Sequence, residues 1–416
     1  MPSENNLNAV FTDIANAIRD KKATTDKIKP INMADEILTI SSGGEISVKY
    51  FITKRDAQYL FYNCNSLTDE QLTSILNYDA TSGATSMRYM FYQCYNLTTI
   101  PLLDTSKVID MYHMFERCYA LTTIPLIDTG NVNNMYDMFY NCKALTSIPL
   151  LNTSNVTTME GMFYGCQVLT TIPQLDTGKV TNMYEMFSGC KALTTIPLLN
   201  TIKTRDMRHM FMQCSSLTTI PLIDTSSCLT MTNMFLQCSL LTTIPQLNTS
   251  KVTNMAYMFQ HCEKLTTIPQ LNTSSVTDIH GMFYNCISLT YVPQLDTSNV
   301  TTMEGMAYMF YQCYILEKID ITKLASGANN NNNFASNCYS LKTLIIRTMD
   351  TIPSLSSNAF DNCYHFYGTT NATYNPNGLK DGAIYVPDDK VASLKTTTNW
   401  SVFADIIKPL SEYTGE

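Results

Sequence analysis

Cysteine is the residue whose spacing most strongly suggests chemistry in this sequence. The chain has fourteen Cys, and nine of them, from Cys94 to Cys286, recur at a constant step of 24 residues. Equivalent residues of stacked repeats would lie about 5 Å apart, which is within disulfide reach by the Cα distance. Each Cys also follows Met and Phe in an apolar pattern. We therefore favour a column of buried free thiols, with disulfides and a metal site as alternatives.

Each of these Cys belongs to one repeated template. It reads Met-x-x-Met-Phe-x-x-Cys, two variable residues, then Leu-Thr-Thr-Ile-Pro-x-Leu-Asp/Asn-Thr, as in MRYMFYQCYNLTTIPLLDT from Met87. A degenerate copy keeps the Phe-x-x-Cys spacing at Cys64, and Cys313, Cys338 and Cys363 continue the column at steps of 27, 25 and 25, which makes 13 copies, here named rungs. A short repeat of this kind is typical of a solenoid, in which each rung buries its apolar face against its neighbours.

Each rung predicts one short strand and one short helix. Leu-Thr-Thr-Ile favours a strand, and the Pro after it cannot donate to a sheet. Asp104 and Asp128 stand in neighbouring rungs, where we favour turn formation over calcium binding. Val-x-x-Met-x-x-Met-Phe-x-x-Cys has apolar positions at steps of three and four, which predicts a short helix or 3₁₀ segment. The predicted fold class is an α/β repeat solenoid, a leucine-rich-repeat-like stack with a short parallel sheet and short helices.

The rungs resemble the BspA-type leucine-rich repeats of bacterial surface proteins, which carry a Phe-x-x-Cys-x-x-Leu signature. The likeness covers about Phe61 to Cys363. A second resemblance concerns the N-terminal stretch LNAVFTDIANAIRDKKATTDKIKPINMADEILTI (Leu7 to Ile40), which is similar to a module of phage virion proteins, notably tail and fibre components. The stretch from Ala383 to Tyr413 resembles a closing segment of such repeat proteins.

The two ends predict an anchor and a cap. Leu7, Phe11, Ile14 and Ile18 share one face of a predicted helix and are the candidate anchor. At the other end, a stripe comprising Trp400, Phe403 and Ile406-Ile407 can cover the last rung. The chain is predicted to comprise four segments: 1–44, an N-terminal helical docking module; 45–86, an N-terminal cap with the first degenerate rung; 87–365, the solenoid; and 366–416, a C-terminal cap.

The composition excludes several classes of function. The chain has 27 basic and 35 acidic residues, a net charge of −8, and so lacks the basic surface that nucleic-acid binding requires. No apolar run has the length of a membrane span, and the N-terminus MPSENNLNAV does not predict a secretory signal. No Ser/His/Asp or Cys/His pairing recurs, and there is no Gly-rich phosphate loop. We therefore expect no enzymatic activity, no cofactor and no metal.

Tyrosine dominates the positions that vary between rungs. The chain has 25 Tyr against one Trp, and Tyr on a rigid scaffold supplies contact area at a low cost in entropy. Two roles remain open for these rings: shielding the Met and Phe core, or forming a binding surface. The candidate surface is Tyr92, Tyr95, Tyr112, Tyr119, Tyr136, Tyr140, Tyr164 and Tyr184.

Taken with these features, the resemblance of Leu7 to Ile40 to phage virion proteins implies a non-enzymatic phage virion protein. Residues 1–40 would bind other virion proteins, and several copies or a homo-oligomer would display the solenoid for decoration or for recognition of a host-surface glycan or protein. The chain would be assembled in the host cytoplasm. Two alternatives remain open: a bacterial cell-surface adhesin, and a purely architectural tail or collar component. The missing secretory signal counts against the adhesin, because a virion protein leaves the cell by lysis.

Overall fold

The structure is a computed structural model, and it describes residues 57–76, 78–302, 304–325 and 333–415. The chain divides into two compact units, Met1–Asn200 and Thr201–Glu416. The predicted docking module of residues 1–44, with its four anchor candidates, lies outside the described residues. The segment boundaries given above therefore stay predictions.

In the regular rungs, the Met-x-x-Met-Phe-x-x-Cys segment is a run of tight turns. Met114 N donates to Met111 O at 3.2 Å, and Cys118 N donates to Phe115 O at 3.1 Å. Between these bonds the backbone enters the left-handed region, with a φ of 54° at His113, so it cannot continue as a right-handed helix. The predicted short helix or 3₁₀ segment is wrong for these rungs.

Alternate N–H groups of this turn segment donate to the next rung. His113 N bonds Tyr136 O at 2.9 Å, and Phe115 N bonds Met138 O at 2.9 Å. A helix would use these donors along its own axis. The turn segment instead links rungs as a strand does, while its three-residue turns keep the apolar spacing of a helix. This combination explains why the sequence pattern favoured a helix.

The Leu-Thr-Thr-Ile stretch is extended, but it forms no strand in the described rungs that carry the Pro. Thr146 N donates to Thr122 O at 2.9 Å, and the Thr146 hydroxyl donates to the same oxygen at 3.0 Å. Pro149 follows soon after and has no N–H to continue the ladder. The predicted strand is therefore reduced to an occasional backbone bond between rungs.

In most of the regular rungs the Asp/Asn-Thr pair forms two kinds of hydrogen bond, the hydroxyls of Thr105 and Thr273 being without a partner among the described atoms. Asn152 Oδ1 accepts from Ser154 N at 3.2 Å, and Asp128 Oδ1 accepts from Gly130 N at 2.9 Å, which confirms the predicted turns. The buried Thr153 hydroxyl donates to Asp176 O of the next rung at 2.8 Å. Asp104 and Asp128 therefore use one carboxylate oxygen to hold a turn.

A parallel sheet forms towards the C-terminus of the second unit, in the order β1-β2-β3-β4. Its strands are β1 (Lys318–Lys323), β2 (Thr343–Thr348), β3 (Ala383–Val386) and β4 (Ile407–Pro409). β1 and β2 lie in the rungs of Cys313 and Cys338, which lack the Pro of the template. Asp320 stands opposite Ile345 in the register of β1 and β2. The parallel sheet of the predicted fold class is confirmed in these rungs.

Helices are short in the described part of the chain. The longest, α1 (Asp69–Ile75), begins at a capping box formed by Thr68 and Gln71. The remaining helical segments are α2 (Tyr364–Tyr367), α3 (Val391–Leu394), and 3₁₀ turns at Tyr78–Thr81, Glu304–Met306, Asp388–Lys390, Ser401–Phe403 and Leu410–Glu412. Among these residues no helix combines the length and apolarity needed to cross a bilayer.

The interior of each unit is built from columns of equivalent side chains. In the first unit, Phe91 and Phe115 stack with ring centroids 5.5 Å apart, and Phe139 follows at the same distance. The Cys118 thiol donates to Phe91 O at 3.0 Å. All fourteen Cys are buried and free, which confirms the buried-thiol interpretation of the Cys column.

The C-terminal segment carries a buried apolar stripe. Trp400 is fully buried, and its indole N–H donates to Pro353 O at 2.9 Å. Phe403, Ile406 and Ile407 are buried with it. The predicted apolar stripe is therefore confirmed, and its indole has the hydrogen-bond partner that a buried Trp requires.

Candidate recognition surface

The eight candidate tyrosines all belong to the first unit, and each is half-buried. They fall at three repeat positions: after the first Met, after Phe, and after Cys. The residues are Tyr112, Tyr136 and Tyr184 after Met, Tyr92, Tyr140 and Tyr164 after Phe, and Tyr95 and Tyr119 after Cys. Half-burial means that each ring both covers the interior and meets solvent, so shielding and binding are compatible roles.

Most of these rings stack on their equivalents in the next rung. The ring centroids of Tyr140 and Tyr164 lie 4.3 Å apart with planes 5° from parallel. Tyr95 and Tyr119 stack at 4.9 Å, and the Tyr112 ring stacks on the next rung at 5.0 Å. Stacking occupies the faces of these rings. The surface therefore offers ring edges and hydroxyls to a partner, which disfavours the face-on sugar stacking that isolated aromatic rings provide.

The hydroxyls of Tyr92, Tyr136 and Tyr140 stay protonated over the physiological range. Burial raises the pKa of Tyr92, Tyr136 and Tyr140, and nearby carboxylates add to the effect. A neutral phenol both donates and accepts a hydrogen bond. The rows of hydroxyls can therefore meet either kind of polar group on a partner.

Sequence reasoning missed three rings beside these columns. Tyr62 stacks on Tyr92 at 4.7 Å and extends the column after Phe, whereas Tyr59 and Tyr89 stack at 5.0 Å at the repeat position of His113. The Phe-x-x-Cys spacing of the first degenerate rung could have identified Tyr62, because it occupies the position after Phe. Tyr59 and Tyr89 were missed because only the positions after the first Met, after Phe and after Cys were considered.

A carboxylate cluster lies beside the tyrosine columns. His113 Nδ1 pairs with Glu116 and lies 3.7 Å from Asp137 Oδ2. Burial and the charges of Glu116, Glu160 and Glu185 raise the pKa of Asp137 to about 8. The His113 ring faces the nearer Glu116 carboxylate, so it leaves the repulsion around Asp137 uncompensated.

This cluster includes three groups that could hold a metal. Donor atoms of His113, Glu116 and Asp137 all lie within 4.8 Å of one another. The ring of His113 is fixed by stacking on Tyr89, with centroids 4.8 Å apart. The mutual pairing of His113 and Glu116 already accounts for this arrangement, so we assign no ion to it. Sequence reasoning missed the cluster because it compared His113 only with other His residues.

Basic side chains also lie against the rings. The Arg88 guanidinium lies 4.3 Å from the centroid of Tyr112 and forms a 3.0 Å ion pair with Asp110. Lys143 Nζ lies 4.6 Å from the centroid of Tyr119. The candidate surface therefore combines rings with charges of both signs, and it is a surface for contact rather than an enclosed site for a small substrate.

Solved structures with a similar fold include bacterial leucine-rich-repeat proteins. A leucine rich cell surface protein from Faecalibacterium prausnitzii is 22% identical, with 65% of this chain and 78% of that chain covered and a TM-score of 0.39. A leucine-rich repeat protein from Bacteroides ovatus is 19% identical, with 79% of this chain and 87% of that chain covered and a TM-score of 0.38. A search of curated proteins found no match.

One family model matches most of the chain. It is described as "Mycoplasma protein of unknown function, DUF285", and it matches residues 55–169, 146–240 and 205–324. The match begins at residue 55, so it does not test the resemblance of residues 7–40 to phage virion proteins. Because the three matches together span more than half of the sequence, the chain belongs to this family of Mycoplasma proteins.

Proposed function

We propose that this chain is a non-enzymatic recognition protein displayed on a bacterial cell surface, where it acts as an adhesin. The observation that carries the proposal is the tyrosine face of the first unit. Equivalent rings recur on successive rungs, are held by stacking, and keep their hydroxyls and edges at the surface. A partner that binds this face would order few side chains, because neighbouring rings already restrain them.

The face suits a partner that makes many weak contacts. The stacked rings present rows of hydroxyls, and the charged side chains of Arg88, Asp110 and Lys143 lie beside them. This mixture of edges, hydroxyls and charges supports a protein surface as the partner. Display of several copies would multiply the contacts through avidity.

The phage virion role remains a second candidate. It depends on the resemblance of residues 7–40 and on the anchor candidates Leu7, Phe11, Ile14 and Ile18. Membership of a family described for Mycoplasma supports the bacterial adhesin instead. In the virion role the same tyrosine face would meet the surface of a bacterial host, or would serve only as an architectural contact.

Adherence of beads coated with the full chain tests the proposal on animal and bacterial cells. We expect adherence to animal cells, and we expect Tyr140→Ser combined with Tyr164→Ser to lower it at least tenfold. Ser occurs naturally at this repeat position in Ser188, so the variant should fold. The matched control changes Tyr284 and Tyr311, which occupy the same position in the second unit with centroids 4.9 Å apart.

The outcomes separate the candidates. Adherence to bacterial cells alone would support the virion role, and so would immunogold labelling of particles rather than of cell surfaces. Equal loss in the control pair would show that the effect is not specific to the tyrosine face. Unchanged adherence in the Tyr140 and Tyr164 variant would contradict a contact role and leave the rings with shielding alone.

A further inference from the structure

One repeat position changes its chemistry along the chain while its surroundings stay the same. It is the position directly after the template Pro. In the first unit it holds four exposed leucines, Leu102, Leu126, Leu150 and Leu198, with exposed fractions of 51%, 66%, 65% and 60%. In the second unit, three successive rungs hold Gln246, Gln270 and Gln294 instead. Sequence reasoning assigned no role to this position.

The glutamine amides form an ordered ladder. Gln246 Nε2 donates to Leu247 O at 3.2 Å and to Gln270 O at 2.6 Å. Gln270 Nε2 repeats this pattern with Leu271 O at 3.2 Å and Gln294 O at 2.8 Å. A backbone carbonyl can only accept, so the nitrogen of each amide must face the backbone. Each amide oxygen is then left as an acceptor at the surface.

A row of asparagines runs beside the glutamines. Asn248 Oδ1 accepts from Ser250 N at 3.2 Å and from its hydroxyl at 2.8 Å. Asn272 Oδ1 accepts from Ser274 in the same way, at 3.1 and 2.7 Å. Since the serines take up the amide oxygens, the asparagines contribute N–H donors to the surface. The two rows therefore offer acceptors and donors side by side in the two rungs that carry Gln246 with Asn248 and Gln270 with Asn272.

These rows line an open groove with a volume of about 730 Å³. Its lining is given by rung: Gln246, Leu247, Asn248 and Thr249, then Gln270, Leu271, Asn272 and Thr273, then Gln294 and Asp296. Its exposed polar side chains are amides, with a single carboxylate at one end, and the groove also carries apolar surface. The groove is thus of mixed polarity, nearly neutral, and continuous over three rungs.

We propose that this groove binds a neutral glycan chain. A sugar hydroxyl both donates and accepts, so it can bridge a Gln oxygen and an Asn N–H on the same rung. The pattern repeats at the spacing of stacked backbones, about 4.8 Å, so successive sugars can meet equivalent groups. An extended peptide fits less well, because its same-side groups recur at about 6.8 Å. The inference concerns the second unit alone and does not depend on the tyrosine face.

The chain provides its own folding control for the test. Leu occupies the same repeat position at Leu150 and at Leu222, so a Gln→Leu change gives a rung that the fold already accommodates. Gln174 supplies a matched control in the first unit. It donates to Leu175 O at 3.2 Å and to Leu198 O at 2.7 Å, as the ladder glutamines do, but its rung neighbours carry Leu.

Affinity electrophoresis of the full chain in gels containing dextran, mannan, xylan or mixed-linkage β-glucan tests the proposal. We expect at least one polysaccharide to retard the chain. The variant Gln246→Leu, Gln270→Leu, Gln294→Leu should bind it at least tenfold more weakly, whereas Gln174→Leu and the Tyr140 and Tyr164 serine variant should bind as the wild type does.

Four results would overturn it: no retardation by any of the four polysaccharides, an unchanged affinity in the triple variant, an equal loss in Gln174→Leu, or selective capture of oligopeptides in place of polysaccharides. Unchanged adherence in the Tyr140 and Tyr164 variant, with polysaccharide binding that depends on the glutamines, would refute the tyrosine proposal and leave this one standing.

Discussion

The rungs with the template Pro and the rungs without it are linked to their neighbours in different ways. Around Pro149, the extended stretch contributes a bond from Thr146 N and little more, and the turn segment supplies most of the backbone contacts between rungs. In β1 and β2, five residue pairs are in register, from Lys318 opposite Thr343 to Lys323 opposite Thr348. Backbone hydrogen bonds therefore join neighbouring rungs mainly at the turn segment where the template Pro is present, and at the strands where it is absent.

The two regions also differ in how charged side chains meet between neighbouring rungs. In β1 and β2, Asp320 and Arg347 face each other across the strands at 2.7 Å, so opposite charges pair between rungs. Around Asp137, by contrast, stacking brings carboxylates of successive rungs together. Because a repeat stacks equivalent residues on one another, a favourable or unfavourable contact between side chains can recur in successive pairs of rungs.

The largest effect should follow from placing a Pro in a central strand of the sheet. Ile345 is fully buried in β2, which has a neighbour on both sides. Ile345→Pro removes a ladder donor from a central strand, so we expect a loss of at least about 3 kcal/mol in the free energy of unfolding. Urea denaturation measures this. A loss below about 1 kcal/mol would mean that the sheet contributes little to the second unit.

The next effect should come from the carboxylate cluster and should depend on pH. The pKa of Asp137 is about 8 in the folded chain and about 3.9 when unfolded. Between these values the folded state holds a proton that the unfolded state releases, so stability falls as pH rises from about 4 to about 8. Asp137→Asn should therefore stabilise the protein at pH 9 by on the order of 2–3 kcal/mol, and hardly at all at pH 4.

Urea midpoints of wild type and variant at the two pH values check this. The titratable groups around Asp137 include Glu116, Glu160, Glu185, His113, Tyr136 and Tyr140. The same stabilisation at both pH values would show that charge repulsion is not the cause.

A smaller effect should follow from deleting one hydroxyl of the buried Thr column. Thr153→Val removes the 2.8 Å bond to Asp176 O, which should cost about 1–2 kcal/mol. Thr105 occupies the same repeat position and is equally buried, at 2% exposed, yet its hydroxyl has no partner among the described atoms. Thr105→Val should accordingly be neutral or slightly stabilising. Equal losses at the two sites, measured by thermal unfolding, would remove the hydrogen bond as the explanation.

The smallest effect should follow from removing one template Pro. Pro149→Ile restores an N–H, but the neighbouring rungs keep Pro125 and Pro173, so a sheet cannot spread from it. The loss of a rigid residue should cost about 0.5–1 kcal/mol through the unfolded state. Far-UV circular dichroism should show no gain in strand content. A clear gain would mean that the Pro alone prevents the sheet.

The sequence predicted the features that depend on the polarity and spacing of side chains. The 24-residue step, the buried Cys column and the turns at Asp128 and Asn152 follow from composition at fixed positions. Each of these depends on what a side chain does within its own rung or against an identical neighbour. The repeat therefore determines them without knowledge of the backbone path.

The turn segment could not be predicted in this way, because non-glycine residues adopt a positive φ there. His113 has a φ of 54° and Asp137 a φ of 50°, and neither residue type specifies that conformation. A signal did exist: the same positions hold Gly161 and Gly281, with φ of 57° and 56°. Glycine has a low helix propensity and readily adopts a positive φ, so its recurrence at this position argues against a helix. The ordered Gln ladder was missed for another reason, since its hydrogen bonds depend on the neighbouring rung.

Amide hydrogen exchange measured along the chain tests most directly the claim that different segments join neighbouring rungs in the two regions. We predict slow exchange in the turn segments, such as residues 135–142, and fast exchange in the extended stretch at residues 147–151, whereas β1 and β2 exchange slowly. Protection of residues 147–151 equal to that of β2, together with fast exchange in the turn segments, would contradict this account.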